Sequence, residues 1–597
     1  MTDRPAAVAD AERPLDVGPA TADAPNGGKR LPWSRRGVDL GTAAVVAAVG
    51  LAFLAPLRGL FRSPGPPMEE GFMLVFPELV LGGQVPHDDF LHLYGPGSLW
   101  ALAGWYRVFG TTITVERVFG AAQLVAIVFG VMALARPWGR RVALASGLLG
   151  VLLTTTAIGL TALAWNGAVA LAVASLWVAL RARRWLVEAP VGAGAEAEGA
   201  GAEAERRADR LLLAAGLLAG LALLFRPDVV VAVVLGALAA GAGLSWARRR
   251  RWLVGAAVGL APYLVLMATA GPVDAVEGLF LDPVFKLRDG RSLPRPPTWN
   301  EFDGALSKLA LFEEVPWALP APASPSQVTL WFFLLPAVAL FVAAVGWWRV
   351  RAEPGSWRPR VLLAVGLFGL GLMPQAIQRP DSTHLAWVSC VPVAFLPVAV
   401  AEALSHVRFR PARRWATTIA AVGVAVIPLA VIPHFTARTW TDLVRQGVGN
   451  ESSVYRVTNG DRHFYLGSIP TGEATQRMVS DIDAEMRPGE RLLVGSADLR
   501  KTPYSDAYLY HLLPDLVPAT RYIEMDPGMA NRADSGLAEE VAGSDWLVLS
   551  HIWDAWNEPN GSRDFGSDAP NDVVRRDFCR FGDYDPYFEV YRRCEDS

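Results

Sequence analysis

The sequence predicts a mainly α-helical fold, a polytopic bundle of membrane helices followed by a C-terminal extracytoplasmic α/β domain. Composition is the first observation: 52% of the 597 residues are hydrophobic, 19% are charged, and the mean hydropathy is +0.27. This is more apolar than an ordinary soluble domain. The second observation is that apolar runs of membrane length recur up to residue 433. The third is that residues 434–597 are polar and contain only short, strand-like apolar runs.

The first 36 residues predict a disordered cytoplasmic tail. They are rich in Ala, Pro and Asp, lack periodicity, and end in the basic segment KRLPWSRR, a composition that does not build a packed core. A long polar leader before the apolar run 40–57 is typical of a signal anchor rather than of a cleaved signal peptide. We therefore expect the chain to enter the membrane at this run, with its N-terminus in the cytoplasm.

Eleven apolar runs are long enough, or nearly so, to cross a hydrocarbon core of about 30 Å. They are residues 40–57, 118–135, 142–160, 163–180, 211–225, 229–246, 252–270, 329–348, 361–377, 385–403 and 415–433. Together they define a transmembrane domain at residues 37–433, with a first outer loop at 58–117. Residues 93–110 of this loop are also apolar, and we interpret them as a re-entrant or interfacial helix. The main alternative is two further crossings, which would make thirteen.

Basic residues set the predicted orientation of the chain. They cluster at residues 136–141, 181–210, 247–251, 348–360 and 406–414. These are alternate loops of the eleven-span arrangement, and the positive-inside rule places them in the cytoplasm. The sequence thus predicts a multi-pass protein of the cell membrane whose C-terminal domain lies outside. Among the cytoplasmic loops, the low-complexity segment 193–205 predicts a disordered linker.

The first outer loop carries two pairs of carboxylates, Glu69 with Glu70 and Asp88 with Asp89. The segment between them, residues 71–83, is amphipathic and suited to lie along the membrane surface, so that the pairs can approach each other. Burial and like-charge repulsion raise the pKa of a carboxyl towards neutrality, which suits a general base. The alternative is that all four are solvated residues of the membrane interface.

Two Arg-Pro-Asp segments follow apolar runs on the same predicted side. The residues of interest are Arg226 with Asp228, Arg379 with Asp381 and His384, and Lys286 with Arg291 in the neighbouring outer loop. The planar fork of an arginine matches a phosphate, and an adjacent aspartate can orient it. Ionisable groups beside a bilayer are candidates for function. For Arg226 the alternative is an interfacial anchor that snorkels to the membrane surface.

Charge and its placement separate the classes of function. A formal net charge of −3 and a pI of about 6.3 give no reason to expect a nucleic-acid partner. A transporter or flippase of lipid-linked substrates would hold its substrate near the bilayer midplane, whereas charges within the spans are nearly absent here. A non-catalytic envelope assembly protein remains an alternative, because it would need no Arg-Asp-His segment. Polar groups gathered on one face favour transfer of a group carried on a lipid phosphate.

These motifs resemble the GT-C superfamily of membrane glycosyltransferases that use polyprenyl-phosphate sugars. Its members include protein O-mannosyltransferases, lipid A aminoarabinose transferases and actinobacterial arabinofuranosyltransferases. The resemblance rests on the acidic pair after the first span and on the pattern G-x-x-P-x-x-D-F-x-x-x-Y-G-P-G over residues 83–97, followed by Phe109-Gly110-Thr111 and Arg117. The sequence departs from the pattern at Glu69, where many relatives have Asp.

The resemblance implies inverting transfer of a sugar from a polyprenyl-phosphate donor to an envelope glycan or glycolipid acceptor at the outer face of the bilayer. Glu69, Glu70, Asp88 and Asp89 are then the catalytic candidates, Arg379, His384, Arg226 and Lys286 the candidates for binding the donor phosphate, and Asp381, Asp228, His87 and Tyr94 the orienting residues. Preorganised cations would stabilise the leaving phosphate. Mg²⁺ or Mn²⁺ could bridge carboxylates and phosphate, although nothing in the sequence requires a metal.

The C-terminal segment 434–597 predicts a small α/β domain. Residues 491–496 and 545–550 are apolar runs of the buried-strand type, residues 506–514 between them favour a helix, and residues 587–593 alternate like a strand. Its aromatic residues, Tyr504, Tyr508, Tyr510, Trp546, Trp553 and Trp556, are interpreted as core in preference to a carbohydrate-binding surface. Cys579 and Cys594 can form one disulfide, whereas Cys390 falls in an apolar run.

Overall fold

The computed structural model describes residues 40–156, 158–189, 195–296, 324–407, 410–449 and 454–594. The predicted disordered tail, residues 1–36, lies outside the described residues. The described part confirms a mainly helical membrane bundle with a sheet-containing C-terminal region. The low-complexity segment 193–205 is helical from Ala195, so the prediction of a disordered linker there was wrong. Alanine and glutamate are strong helix formers, and here they extend the helix that follows.

Seven helices of the described chain are long and apolar enough to cross a membrane. They are Leu40–Leu60, Ile113–Trp138, Ala164–Val187, Glu198–Phe225, Trp246–Thr269, Ser326–Ala352 and Arg358–Gln378. Each coincides with one predicted span. The other four predicted spans contain Arg140–Thr154, Val230–Gly241, the pair Ser382–Ser389 and Leu396–Ser405, and Arg410–Val431. These helices are shorter, or in the last case bent by 98° into His434–Gly447, so the count of eleven stays a prediction.

The apolar segment 93–110 forms the helix Pro96–Phe109. It begins with a proline in its first turn and ends at Gly110, whose φ of 83° is left-handed. Fourteen residues span about 21 Å at 1.5 Å per residue, which is shorter than the hydrocarbon core of about 30 Å. The hydroxyl of Tyr106 donates to the carbonyl of Met73 at 3.1 Å. This length and contact favour the re-entrant or interfacial interpretation.

Small residues let two of the spanning helices cross closely. Gly216 and Gly220 of the helix Glu198–Phe225 face Gly255 and Gly259 of the helix Trp246–Thr269. A Cβ atom at any of the four would collide with backbone atoms of the partner helix. Glycines spaced four residues apart on both helices bring the backbones together, which in a membrane is a main source of packing energy.

The basic segments meet at one end of the bundle. Glu402 accepts hydrogen bonds from Trp138 at 2.7 Å and from Arg349 at 3.0 Å, and Trp357 donates to Glu188. The remaining basic loop lies at this end as well, where Arg248 and Arg251 form ion pairs with Glu205 and Asp209. The helix Arg358–Gln378 carries the chain from this end to the segment at Arg379. The predicted site residues therefore lie at the opposite end from the basic loops.

The C-terminal region contains a two-stranded hairpin and a five-stranded mixed sheet. The hairpin strands are β1 (Tyr455–Asn459) and β2 (Arg462–Leu466), and the sheet strands are β3 (Arg491–Ser496), β4 (Val517–Pro518), β5 (Trp546–Ser550), β6 (Phe578–Tyr584) and β7 (Phe588–Arg593). The sheet order is β4-β3-β5-β7-β6. β3 is parallel to β4 and β5, whereas β7 is antiparallel to β5 and β6. Its helices are Ile469–Glu485, Tyr508–Leu512, Leu537–Ala542 and Ala569–Asp577.

The core of the C-terminal region continues into the first loop of the bundle. The helix Glu69–Leu81 buries Phe72 and Phe76 in one apolar cluster with Phe464 and Tyr508. Five of the six tyrosine and tryptophan residues named in the sequence are buried there, and Trp556 is half-buried. They are core residues, as the sequence analysis preferred. Cys579 and Cys594 form a disulfide that ties β6 to the end of β7.

Candidate active site

Glu70 is a fully buried partner of Arg117. The Nε and Nη2 atoms of Arg117 donate to its two carboxylate oxygens at 2.6 and 2.8 Å, and Nη1 donates to the carbonyl of Leu60 at 3.1 Å. A bidentate pair of this kind is among the stronger interactions that a carboxylate makes. It fastens the helix Glu69–Leu81 to the N-terminal end of the helix Ile113–Trp138. Both oxygens of Glu70 are therefore already engaged.

Glu69 faces the C-terminal region instead. Successive residues of a helix project about 100° apart, so the two neighbouring carboxylates point to different surroundings. Glu69 is half-buried and accepts a hydrogen bond from the hydroxyl of Tyr504. The Tyr504 ring packs on Trp553, with centroids 4.4 Å apart. Burial, and then the charge of Glu69, raise the pKa of Tyr504 well above its usual value, so this hydroxyl stays a neutral donor that orients Glu69.

Arg291 and two carboxyl groups of the C-terminal region lie near this part of the first-loop helix. Arg291 lies 3.4 Å from a carboxylate oxygen of Asp526, and Glu524 precedes Asp526 by two residues. Burial, followed by the charge of Asp526, raises the pKa of Glu524 well above its usual value, and Glu69 contributes in the same direction. Burial also raises the pKa of Asp526, while Arg291 opposes this shift. The pKa values of both Glu524 and Asp526, on the C-terminal region, are therefore raised by burial.

Arg379 is held by carboxylates on both sides. Its Nε donates to Asp381 at 2.7 Å, one Nη atom donates to Glu558 at 2.8 Å, and the same atom donates to the carbonyl of Arg291 at 2.8 Å. Asp381 in turn accepts from the backbone N–H and ring Nδ1 of His384, each at 2.8 Å. Burial opposes ionisation of Asp381, but His384 and Arg379 outweigh it and hold the pKa at about 2.

Arg226 lies in an aromatic enclosure. Asp228 binds it through two hydrogen bonds of 3.0 and 2.6 Å, and its guanidinium lies 4.6 Å from the ring centre of Tyr94 and 5.3 Å from that of Trp165. Such cation–π contacts favour a cation that is shielded from water. Trp165 stacks on Trp387, which contacts the ring of His384. The two Arg-Pro-Asp segments are thereby connected.

The remaining predicted residues lie around a neighbouring cavity or on an exposed turn. Asp88 and Asp89 are exposed, and Asp89 accepts from the N–H of Val85 at 2.7 Å within its own turn. His87 is buried with a left-handed φ of 75°, and burial, aided by Arg521, lowers its pKa to about 4. Lys286 pairs with two acidic residues of its own helix, at 2.7 and 2.9 Å. His87 and Lys286 line a cavity of about 170 Å³.

The structure thus connects Glu69, the Arg226 pair and the Arg379 group through intervening residues, whereas the described contacts of Asp88, Asp89 and Lys286 lie elsewhere. The sequence analysis missed the roles of Tyr504, Glu524, Asp526 and Glu558. The segment IEMD, two carboxylates alternating with apolar residues before a Pro-Gly turn, was the available signal. Within the described chain, no group of three or more His, Cys, Asp or Glu residues is arranged to hold a metal ion.

Comparisons with known proteins give a match of fold. No family model and no curated protein matches the sequence. The structure of ArnT from Cupriavidus metallidurans bound to undecaprenyl phosphate aligns with 92% of this chain and 98% of its own, at 15% identity and a TM-score of 0.50. The structure of ArnT in the apo state aligns with 93% of this chain and 98% of its own, at 15% identity and a TM-score of 0.46. The structure of the oligosaccharyltransferase of Archaeoglobus fulgidus in the apo form aligns with 86% of this chain and 71% of its own, at 13% identity and a TM-score of 0.46. The chain therefore shares its fold with ArnT.

Proposed function

We propose that the protein is an inverting glycosyltransferase that moves a sugar from a polyprenyl phosphate to a hydroxyl of an envelope glycan or glycolipid. The observation that carries this proposal is the position of Glu69. It is a half-buried carboxylate, oriented by a neutral tyrosine hydroxyl, at the end of the bundle that also holds Arg226, Arg291 and Arg379. The fold shared with ArnT, which was crystallised with undecaprenyl phosphate, supports a lipid phosphate as the leaving group.

Glu69 is the general base of this reaction. It takes the proton of the acceptor hydroxyl while the oxygen attacks the anomeric carbon, and the bond from that carbon to the lipid phosphate breaks with inversion. Tyr504 holds the carboxylate in position through its hydrogen bond. Glu70 does not share this role, because its two oxygens are bound to Arg117. Its function is to fix the helix that presents Glu69.

The phosphate is bound by Arg226 and His384. Asp228 occupies Nε and Nη2 of Arg226, and within the described residues its Nη1 makes no hydrogen bond. His384 uses Nδ1 towards Asp381, which leaves Nε2 for a ligand. A developing negative charge is stabilised by such fixed donors without reorganisation. Arg379 is instead locked by two carboxylates, and its role is to hold the loop and the C-terminal region together.

The site lies outside the cell membrane in this proposal. The basic loops gather at the opposite end of the bundle, which the positive-inside rule assigns to the cytoplasm. The disulfide between Cys579 and Cys594 agrees with this orientation, because such bonds persist in oxidising compartments and are rare in the cytosol. The donor lipid and the acceptor would then meet at the outer face.

The test is sugar transfer by the purified protein from a panel of radiolabelled polyprenyl-phosphate sugars into membrane acceptors. We expect wild type to consume one donor, and Glu69→Gln to bind that donor without turnover. Asp88→Asn and Asp89→Asn are matched controls, since they neutralise exposed carboxylates of the same loop. If turnover survives in Glu69→Gln but is lost in one of the controls, the general base is Asp88 or Asp89 instead of Glu69. If the wild type consumes no donor, the proposal fails and transport of lipid-linked substrates is tested next.

A further inference from the structure

We infer that Glu524, on the C-terminal region, binds a sugar hydroxyl of the substrate through the Oε1 atom of its buried carboxyl. This inference rests on the proposed function and adds a residue from outside the membrane bundle to its site. The side chain of Glu524 is 3% exposed, and its Oε1 atom has no hydrogen-bond partner within the described residues. A buried polar atom without a partner costs stability. A ligand that forms a hydrogen bond with Oε1 would explain why the protein has a carboxyl at this buried position.

The backbone holds this carboxyl in a fixed place. Met525, which follows Glu524, has a left-handed φ of 49°. In the described chain, His87 is the other non-glycine residue with a positive φ. Such a conformation is uncommon for a residue with a side chain and persists only where the surroundings impose it. The consequence is that Glu524 and Asp526 are presented together, beside Arg291 and Glu69.

The charges around Glu524 decide where the proton resides. The groups that act on it are Asp526 of its own loop, Arg291, and Glu69 of the first-loop helix, and Glu524 itself acts on the hydroxyl of Tyr94. Arg291 lies against Asp526 at 3.4 Å and favours the ionised form of that residue. Glu69 accepts a hydrogen bond from the hydroxyl of Tyr504. No described residue donates a hydrogen bond to Oε1 of Glu524, and burial, followed by its carboxylate neighbours, raises the pKa of Glu524, which favours the protonated form.

A neutral carboxyl in this position suits a hydroxyl rather than a phosphate. It offers one donor and one acceptor, the same pair that an alcohol offers. A phosphate would bring negative charge among three carboxyl groups, those of Glu524, Asp526 and Glu69, whereas a neutral sugar would not. A protonated acid also leaves the acceptor proton to Glu69, in the way that two carboxyls with different environments divide acid and base roles. The hydroxyl belongs either to the donor sugar or to the acceptor.

The experiment compares Glu524→Gln and Glu524→Ala with wild type across a pH series. Glutamine keeps the shape and a hydrogen-bond donor but does not titrate. We expect Glu524→Ala to lose about tenfold in kcat/KM, the size of one neutral hydrogen bond, and Glu524→Gln to keep most of the activity. Wild-type kcat/KM should fall as the pH rises through the raised pKa of Glu524, because the donor is lost, and this fall should be absent in Glu524→Gln. Glu539→Gln, an exposed carboxyl of the same region, is the control.

Two readouts separate the sources of the hydroxyl. A higher Kd for the donor alone in Glu524→Ala assigns it to the donor sugar, whereas an unchanged donor Kd with a higher KM for the acceptor assigns it to the acceptor. The inference is overturned if Glu524→Ala matches wild type while Glu69→Gln is inactive, which leaves the proposed function standing. It is also overturned if Glu524→Ala only lowers thermal stability, or if Glu524→Gln keeps the alkaline fall. Loss of the proposed function shows separately, as a wild type that consumes no donor.

Discussion

Removal of Glu70 should destabilise the protein because it strands a buried cation. Arg117 is 2% exposed and directs two hydrogen bonds at Glu70. In Glu70→Ala the guanidinium keeps its hydrogen bond to the carbonyl of Leu60. Breaking one side of a buried ion pair costs about 3–5 kcal/mol. Since the carbonyl of Leu60 still accepts a hydrogen bond from the guanidinium, we expect a loss of about 3 kcal/mol in the free energy of unfolding, at the lower end of that range.

The assay is equilibrium unfolding in mixed micelles titrated with dodecyl sulfate. Glu70→Leu combined with Arg117→Met should recover most of the loss, because two apolar residues can replace a buried pair at little cost. Glu78→Ala is the matched control, as its partner Arg462 is partly solvated and such pairs contribute about 1 kcal/mol or less. The reasoning is refuted if Glu70→Ala is no less stable than Glu78→Ala. Full stability with abolished turnover would instead make Glu70 a catalytic base.

Three other changes have defined outcomes. His87 has a pKa of about 4 in the folded protein and about 6.5 in the unfolded chain, so it binds a proton more readily when the chain is unfolded. The free energy of unfolding should therefore fall by up to about 1.4 kcal/mol per pH unit as the pH drops from about 6.5 to 4. The fall should be less steep in His87→Gln. Glu558→Gln removes a charged hydrogen-bond partner of Arg379, and such a bond contributes about 1.5–3 kcal/mol. Proteolysis between the bundle and the C-terminal region should become faster in this variant, and an unchanged rate of proteolysis would contradict the prediction. Serine at both Cys579 and Cys594 opens a bridge with a sequence separation of 15 and should lower the urea stability of the C-terminal region by about 3 kcal/mol, an effect that reductant on wild type must reproduce.

Hydropathy predicted most of the bundle because the bilayer leaves few alternatives. Every backbone polar group must be satisfied inside the segment that crosses, so a long apolar run such as 361–377 has to be helical, and the structure has Arg358–Gln378 there. The strands at 491–496 and 545–550 were readable for a related reason, since both of their faces are buried. Segment 193–205 was misread because composition alone does not show that Arg248 and its neighbours would pair with this helix.

The site was predictable only where it lies at the end of an apolar run. Glu69, Arg226 and Arg379 each adjoin such a run, and that position is visible in the sequence. Their partners are not visible, because Tyr504 is 435 residues from Glu69 and Glu558 is 179 residues from Arg379. Such pairings are set by how the C-terminal region packs, and no periodicity marks them. The sequence also grouped the four loop carboxylates, which helix geometry and a tight turn then direct to different surroundings.

The three residues Glu69-Glu70-Gly71 explain how the C-terminal region comes into contact with the candidate site. Glu70 turns towards the bundle and Glu69 towards Tyr504. Gly71 makes the close approach possible, because a Cβ there would collide with the backbone of Ala507 and Tyr508. A larger residue at 71 would push away the segment that carries Tyr504. Glu69 would then lose its orienting donor, while the ion pair of Glu70 stayed intact. The packing of the C-terminal region against Gly71 therefore also sets the orientation of Glu69, the base that we propose.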